Sequence, residues 1–281
     1  NFTITAQNPK ENVNSFIIEM KKDYSNVNTT LNKLPEFHKQ AIKKFLDFDK
    51  VGAFLTSIEE KNKTATTDED YIEIMKNISD SLSQDFPKSI LISDQLDNGF
   101  FLLNEDSISL EMIGTASQET YNSTREEDYL TEITRWNLEQ INALLDYQSY
   151  QINYGYGKNE TVSFFKISLS ANDNTTGAYM ILPEMEIIQF AGVVQPVDKT
   201  SFRYIILDGK AKEIEFATSS LVSPTSLPIF FSPAFSKLKL PEIATPLERT
   251  FLETYKWPIF ILLLFVLLTI FIIVYRAAGN W

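Results

Sequence analysis

The sequence predicts an α+β ectodomain, with a helical and α/β N-terminal half and an antiparallel β C-terminal half, followed by a single C-terminal transmembrane helix. Three observations carry that prediction. Apolar residues recur at helical spacing through much of the first 150 positions. From about residue 150 the pattern changes to a period of two. Residues 257–275 (WPIFILLLFVLLTIFIIVY) then carry no charge at all. The expected divisions are a polar, partly helical segment at 1–62, an α/β region at 63–150 and an antiparallel β region at 151–217. A proline-rich juxtamembrane segment at 218–256, the span at 257–275 and a short cytosolic tail at 276–281 complete the chain.

Within the first region, Pro35 is placed to open a helix to about Lys50, with Phe37, Ala41, Ile42 and Phe45 on one face. Residues 61–68 (KNKTATTD) read as an exposed loop. A second helix starts after Thr67, where Thr67 and Asp70 suit a capping box and Tyr71, Ile74, Met75, Ile78 and Leu82 form a stripe. Ser89–Ser93 and Phe100–Leu103 read as two strands joined by an Asp97-Asn98-Gly99 turn. Ser107–Ile113 alternates and is expected as a strand. A long helix is expected over about 124–148, capped by Thr124 with Glu127 and buried through Leu130, Ile133, Trp136, Ile141, Leu144 and Leu145.

In the β region, Val162–Ser170 and Ala178–Phe190 read as strands. Asp208-Gly209 between Phe202–Leu207 and Lys210–Phe216 reads as a hairpin, because Asp-Gly suits a type I′ turn. Residues 218–248 hold five prolines and therefore extend. Their apolar residues, among them Leu227, Ile229, Phe230, Phe231, Phe235, Leu238 and Leu240, are too many for a free stalk and are expected to pack on the β region or on a partner.

The expected span is long enough. Its 19 residues cover roughly 28 Å as a helix, close to the hydrocarbon thickness of a bilayer. Trp257 and Tyr275 stand at its two ends as interfacial anchors. Orientation rests on Asn-x-Ser/Thr sequons at Asn1, Asn28, Asn62, Asn77, Asn122, Asn159 and Asn174. Chance would supply about three in this composition, whereas the chain has seven. They place the N-terminal region in a lumen or outside the cell, carrying N-linked glycans. Asn1 is expected as a mature N-terminus after signal cleavage.

Composition narrows the function. The formal net charge of −12 argues against nucleic acid, which needs a basic face, and against electrostatic docking on anionic lipid. Without cysteine there is neither a disulfide framework nor thiolate chemistry. The single histidine, His38, lies among Lys39, Lys43 and Lys44 and is expected as a solvated surface residue. It leaves little basis for a catalytic triad or a zinc site. No Walker loop or Gly-x-Gly-x-x-Gly occurs, and Gly155-Tyr156-Gly157 reads as a turn. Asp94, Asn98, Gly99 and Glu105 fit four positions of a calcium loop, but Leu96 and Leu102 occupy two others. The carboxylate groups Asp68-Glu69-Asp70 and Glu126-Glu127-Asp128 stand at expected helix N-termini, where acids complement the dipole. No catalytic residue, metal or cofactor is expected.

The expectation is a non-enzymatic type I membrane glycoprotein of the secretory or endolysosomal system or plasma membrane. Its expected role is an accessory or assembly subunit beside other membrane-protein subunits. The layout is similar to lumenal accessory subunits of rotary proton pumps and of secretory-pathway complexes, in architecture only. A cell-surface receptor or adhesin is the alternative, and a membrane-tethered hydrolase a minor one.

Overall fold

The computed structural model describes residues 8–82, 86–155, 157–171, 175–192, 194–208, 212–219 and 221–241, together with 260, 261 and 266. Among the described residues no helix is long and apolar enough to cross a membrane. The expected span, with Trp257 and Tyr275, lies almost wholly outside them, as do Asn1 and Asn174. The described chain up to Lys239 belongs to one unit, an α+β body with six helices and two antiparallel sheets.

Four helices come first. α1 (Pro9–Leu31) starts at Asn8, whose side chain accepts from the Glu11 amide at 3.4 Å, with proline at the first position. Its stripe of Val13, Ile17, Met20, Val27 and Leu31 is buried. The expected helix to Lys50 is instead two helices, α2 (Glu36–Phe45) and α3 (Phe48–Thr64). Asp47 between them takes a left-handed conformation (φ 44°), which breaks the helical path and redirects the chain. α3 also overruns the expected loop, leaving three residues before α4 (Asp68–Leu82). The capping box at that point forms as expected: the Asp70 amide donates to Thr67 Oγ1 at 3.3 Å, and the Thr67 amide donates to Asp70 Oδ2 at 2.9 Å. α1, α3 and α4 share one apolar core.

Three further expectations are corrected. β1 (Ser89–Phe100) is one strand, not a hairpin. Asn98 (φ 50°) sits where the register with the strand Ile141–Gly155 (β2) shifts, and its amide donates to Asp146 at 2.7 Å. The turn chemistry of Asp-Asn-Gly is absorbed as a bulge because β2 supplies a partner along the whole length. Leu110–Ser117 is a helix, α5, rather than part of a strand. Ser109 caps it, accepting from the Met112 amide at 3.3 Å, and Leu110, Ile113 and Ala116 are buried. In so short a window these spacings also satisfied a period of two. The long helix ends early: α6 is Glu126–Gln140, and Ile141 opens β2 (Ile141–Gly155). Its start is also different. Asn122, not Thr124, makes the local cap, and Leu130 is exposed while Tyr129 and Ile133 are buried.

β2 and β3 (Lys158–Ala171) form the central hairpin, turned at Gly155 and Gly157, both at positive φ. A side chain at Gly155 would also approach the Lys88 side chain to 2.9 Å. β4 (Ala178–Pro183) and β5 (Ile187–Phe190) lie in different sheets, and so do β7 (Phe202–Ile206) and β8 (Lys212–Thr218). The expected Asp-Gly hairpin is therefore a crossing between sheets. β8 pairs with β3 and β5, whereas β7 pairs with β4 and the short β6 (Val197–Asp198). The two orders are β1-β2-β3-β8-β5 and β6-β7-β4-β9, where β9 is Phe230–Pro233.

β9 (Phe230–Pro233) comes from the proline-rich segment and pairs with β4. Leu227, Ile229, Phe230 and Phe231 are at most 1% exposed, so of the two expected covers, the β region or a partner, it is the β region that takes these residues. α6 covers the outer edge of β9, where Asn137 Nδ2 donates to the Phe231 carbonyl at 2.7 Å. Between the sheets, Phe216 stacks on Phe165 with centroids 5.3 Å apart and meets Phe190 at 5.8 Å. Phe216→Ala should lower the unfolding free energy by about 3–5 kcal/mol. Leu221→Ala, at a side chain 73% exposed, should change it by less than about 0.5 kcal/mol. Denaturant midpoints would check both, and equal effects would contradict this core.

Candidate functional site

The first group of site residues is the set of sequons. Asn28, Asn62 and Asn77 are half-buried on α1, α3 and α4. Asn62 is tied inward: its Nδ2 donates to Asn14 Oδ1 at 2.9 Å, and its own Oδ1 is buried without a hydrogen bond. Asn122 is exposed before α6, and its Oδ1 accepts from both the amide and the hydroxyl of Thr124, at 3.0 and 2.9 Å. Asparagine and acceptor threonine are thus held together on an open turn. Asn159 is exposed at the start of β3, beside the hairpin tip.

The second group was not legible in the sequence. His38 is not a solvated surface residue but 8% exposed, on the side of α2 that meets the five-stranded sheet. Its ring stacks on Phe164 with centroids 4.0 Å apart. Nδ1 lies 3.0 Å from the Tyr150 hydroxyl, which donates to Gln148 Oε1 at 2.9 Å. A phenol has one proton, so with that proton on Gln148 the imidazole Nδ1–H is the donor to Tyr150. Nε2 faces Glu215 Oε1 at 3.6 Å. The lysines around His38 in sequence lie at other angles of the helix: Lys39 faces Glu36 and Lys44 donates to the Ile188 carbonyl at 2.8 Å.

This chain of groups has the residue types of an acid–base relay, set at a joint between helix and sheet. Burial pushes the Tyr150 phenol up to about 12, away from the phenolate a nucleophile or base would need. The hydrogen bonds of the chain join α2 to β2, the 3.6 Å approach of Glu215 adds a longer contact to β8, and together they serve polar groups at the edge of an apolar interface.

A third feature is an open hollow of about 530 Å³ bordered by Glu132, Arg135, Trp136, Gln140, Thr176 and Lys237. Arg135 pairs with Glu132, and Lys237 donates to the Thr176 carbonyl. Two of its three cations, Arg135 and Lys237, are thus engaged locally, and Lys239 also lines it. Nearby, Ser236 donates to Glu119 through its hydroxyl at 2.6 Å and its amide at 3.0 Å. Those bonds hold the Glu119 carboxyl below its ordinary range. They also fix the turn Phe235–Lys237 against the end of α5.

Among the described residues no three His, Asp or Glu side chains are grouped to hold a metal ion. Asp94 and Asn98 lie within β1, where Asp94 Oδ1 accepts from the Gln95 amide at 2.9 Å. The acidic triplets occupy the first turns of α4 and α6, as dipole partners do.

Two outcomes follow. In a glycosylating host, glycopeptide mass spectrometry should find Asn122 and Asn159 occupied and Asn62 bare. For Tyr150, the folded phenol holds its proton to about 12 while an unfolded one releases it near 10. The associated stability is complete below pH about 10 and is lost as pH rises toward 12. Denaturant titrations should therefore show a steeper loss between those pH values in the wild type than in Tyr150→Phe.

No protein family, curated protein or solved structure matches the chain.

Proposed function

We propose that this chain is a non-enzymatic type I single-pass membrane glycoprotein, an accessory or assembly subunit whose folded unit stands in a lumen or outside the cell beside other membrane-protein subunits. The observation that carries the reading is the uncharged stretch 257–275, closed by Trp257 and Tyr275, after a folded unit rich in sequons. A proton pump or a secretory-pathway complex is the kind of assembly it would serve.

Two features support a binding role over a chemical one. The one histidine is consumed in a buried joint between helix and sheet, beside a phenol whose proton is held more tightly than usual. In the polar hollow Arg135 and Lys237 are engaged with neighbouring groups.

The test is the native assembly. Membranes extracted with alkaline carbonate should retain the full-length protein, and mild detergent should release it. The released protein should migrate as a large complex, with polytopic membrane proteins at fixed stoichiometry by mass spectrometry. Recovery as a lone glycoprotein or simple homodimer would overturn the accessory reading in favour of a receptor or adhesin.

A further inference from the structure

We propose that Asn98 is a site of spontaneous covalent modification: in the folded protein it closes on Gly99 to a succinimide, which opens to aspartate and isoaspartate. Asn98-Gly99 is the only Asn-Gly pair in the chain. A glycine after the asparagine leaves the next peptide nitrogen unshielded, because no Cβ stands beside it. Asn98 is exposed. Its backbone amide donates to Asp146 Oδ1 at 2.7 Å, but its side-chain carboxamide makes no hydrogen bond among the described residues. The electrophilic Cγ therefore stands untied in solvent. The carboxamides of Asn62 and Asn137, by contrast, are held through Nδ2, the first by Asn14 and the second by the Ile133 and Phe231 carbonyls.

The bulge selects the same residues that react. Asn98 is left-handed at φ 50°, a conformation that glycine, asparagine and aspartate reach most readily. At position 99 a Cβ would stand 2.6 Å from Leu96 Cδ2 and 3.3 Å from the Leu145 carbonyl oxygen. Any residue but glycine would have to push Leu96 aside and crowd the neighbouring strand. The bulge also supplies slack. The register of β1 with β2 shifts between Leu96 and Gly99, and β1 ends at Phe100, on the edge of the five-stranded sheet. A strand end on a sheet edge opens locally at small free-energy cost, and that opening lets the Gly99 nitrogen turn toward Cγ.

The chemistry needs only water. The Gly99 nitrogen gives its proton to solvent and attacks Asn98 Cγ. The N–Cγ bond forms as the Cγ–Nδ2 bond breaks, and Nδ2 takes a proton from solvent and leaves as ammonia. Water then adds to either ring carbonyl. Opening at Cγ leaves aspartate, and opening at the main-chain carbonyl leaves isoaspartate, which lengthens the backbone by one atom. Each product carries a new carboxylate. That charge joins Asp97 and Asp146 at the bulge, where like charges repel. Added charge and added length both loosen the end of β1, where the Phe101 amide donates to the Ala143 carbonyl at 3.1 Å.

The test ages the full chain in detergent at mildly alkaline pH and follows its peptides by mass spectrometry, with an isoaspartyl methyltransferase assay for the isomer. Asn98 should convert severalfold faster than any asparagine outside a sequon, and hydroxylamine, which attacks the succinimide, should cleave the chain between positions 98 and 99. Hydrogen exchange at the Phe101 amide should be severalfold faster in aged protein than in fresh. Asn98→Asp, which keeps a residue suited to the left-handed conformation, should show part of that acceleration without ageing. An Asn98 that stays intact in folded protein while the urea-denatured chain converts overturns the proposal, because the fold then protects the pair. Conversion with unchanged exchange at Phe101 overturns the loosening of β1.

Discussion

The fold depends on one long antiparallel pair, β2 and β3, buried on both faces. Alternate residues point to opposite sides of a strand. In β2, Leu145 and Tyr147 enter the core between the sheets, while Tyr150, Ile152 and Tyr154 meet the helices. In β3, Phe165, Ile167 and Leu169 face the second sheet, and Val162 and Phe164 face the helices. At about 25 cal/mol per Å² of apolar surface removed from water, double burial of this pair outweighs local preferences in the segments around it. The end of α6 at Gln140 is the clearest case: Ile141, Leu144 and Leu145 fit a helical face, yet they form a strand whose partner runs beside them.

Double burial also explains the crossings. A five-stranded sheet that needs cover on both faces takes a second sheet on one side and helices on the other. The chain builds the two sheets by alternating between them. β5 and β8 enter one, β4 and β7 the other, and β9 arrives from the proline-rich segment to pair with β4 and complete that second sheet. β9 can be an edge because α6 closes over it, with Asn137 bonded to its carbonyl. The polar outer part of the five-stranded sheet begins at His38, where Gln148, Tyr150 and Glu215 finish the helix-covered area with hydrogen-bonding groups.

The candidate sites divide along the same line between local and long-range causes. Sequons are local by definition, so their positions could be read directly; their accessibility could not. Asn62 is held by Asn14, 48 residues away, and Asn122 by Thr124, two residues away. The spacing of Asn122 and Thr124 was visible, and the contact between them is the one site geometry that sequence could have suggested. His38 gave the opposite signal. Three lysines nearby suggested solvent, but the helix turns them away and delivers the ring to Tyr150, 112 residues later. The one available hint was Phe37, Ala41 and Ile42, whose apolar face His38 adjoins.

By itself the sequence determined whatever depends on short spacing. This includes the α+β class, the stripe of α4, the capping box at Thr67 and Asp70, the tight turn at Gly155 and Gly157, and the uncharged stretch at 257–275. Tertiary structure decided which strands pair, where α6 yields to β2, that Asp208 leads across sheets and that Asp-Asn-Gly becomes a bulge. Hydrogen-bond partners and apolar cover come from residues far apart in the chain. Short apolar windows such as 107–113 and 141–145 satisfy both helical and strand periods, and only the burial that the assembled sheets offer selects one.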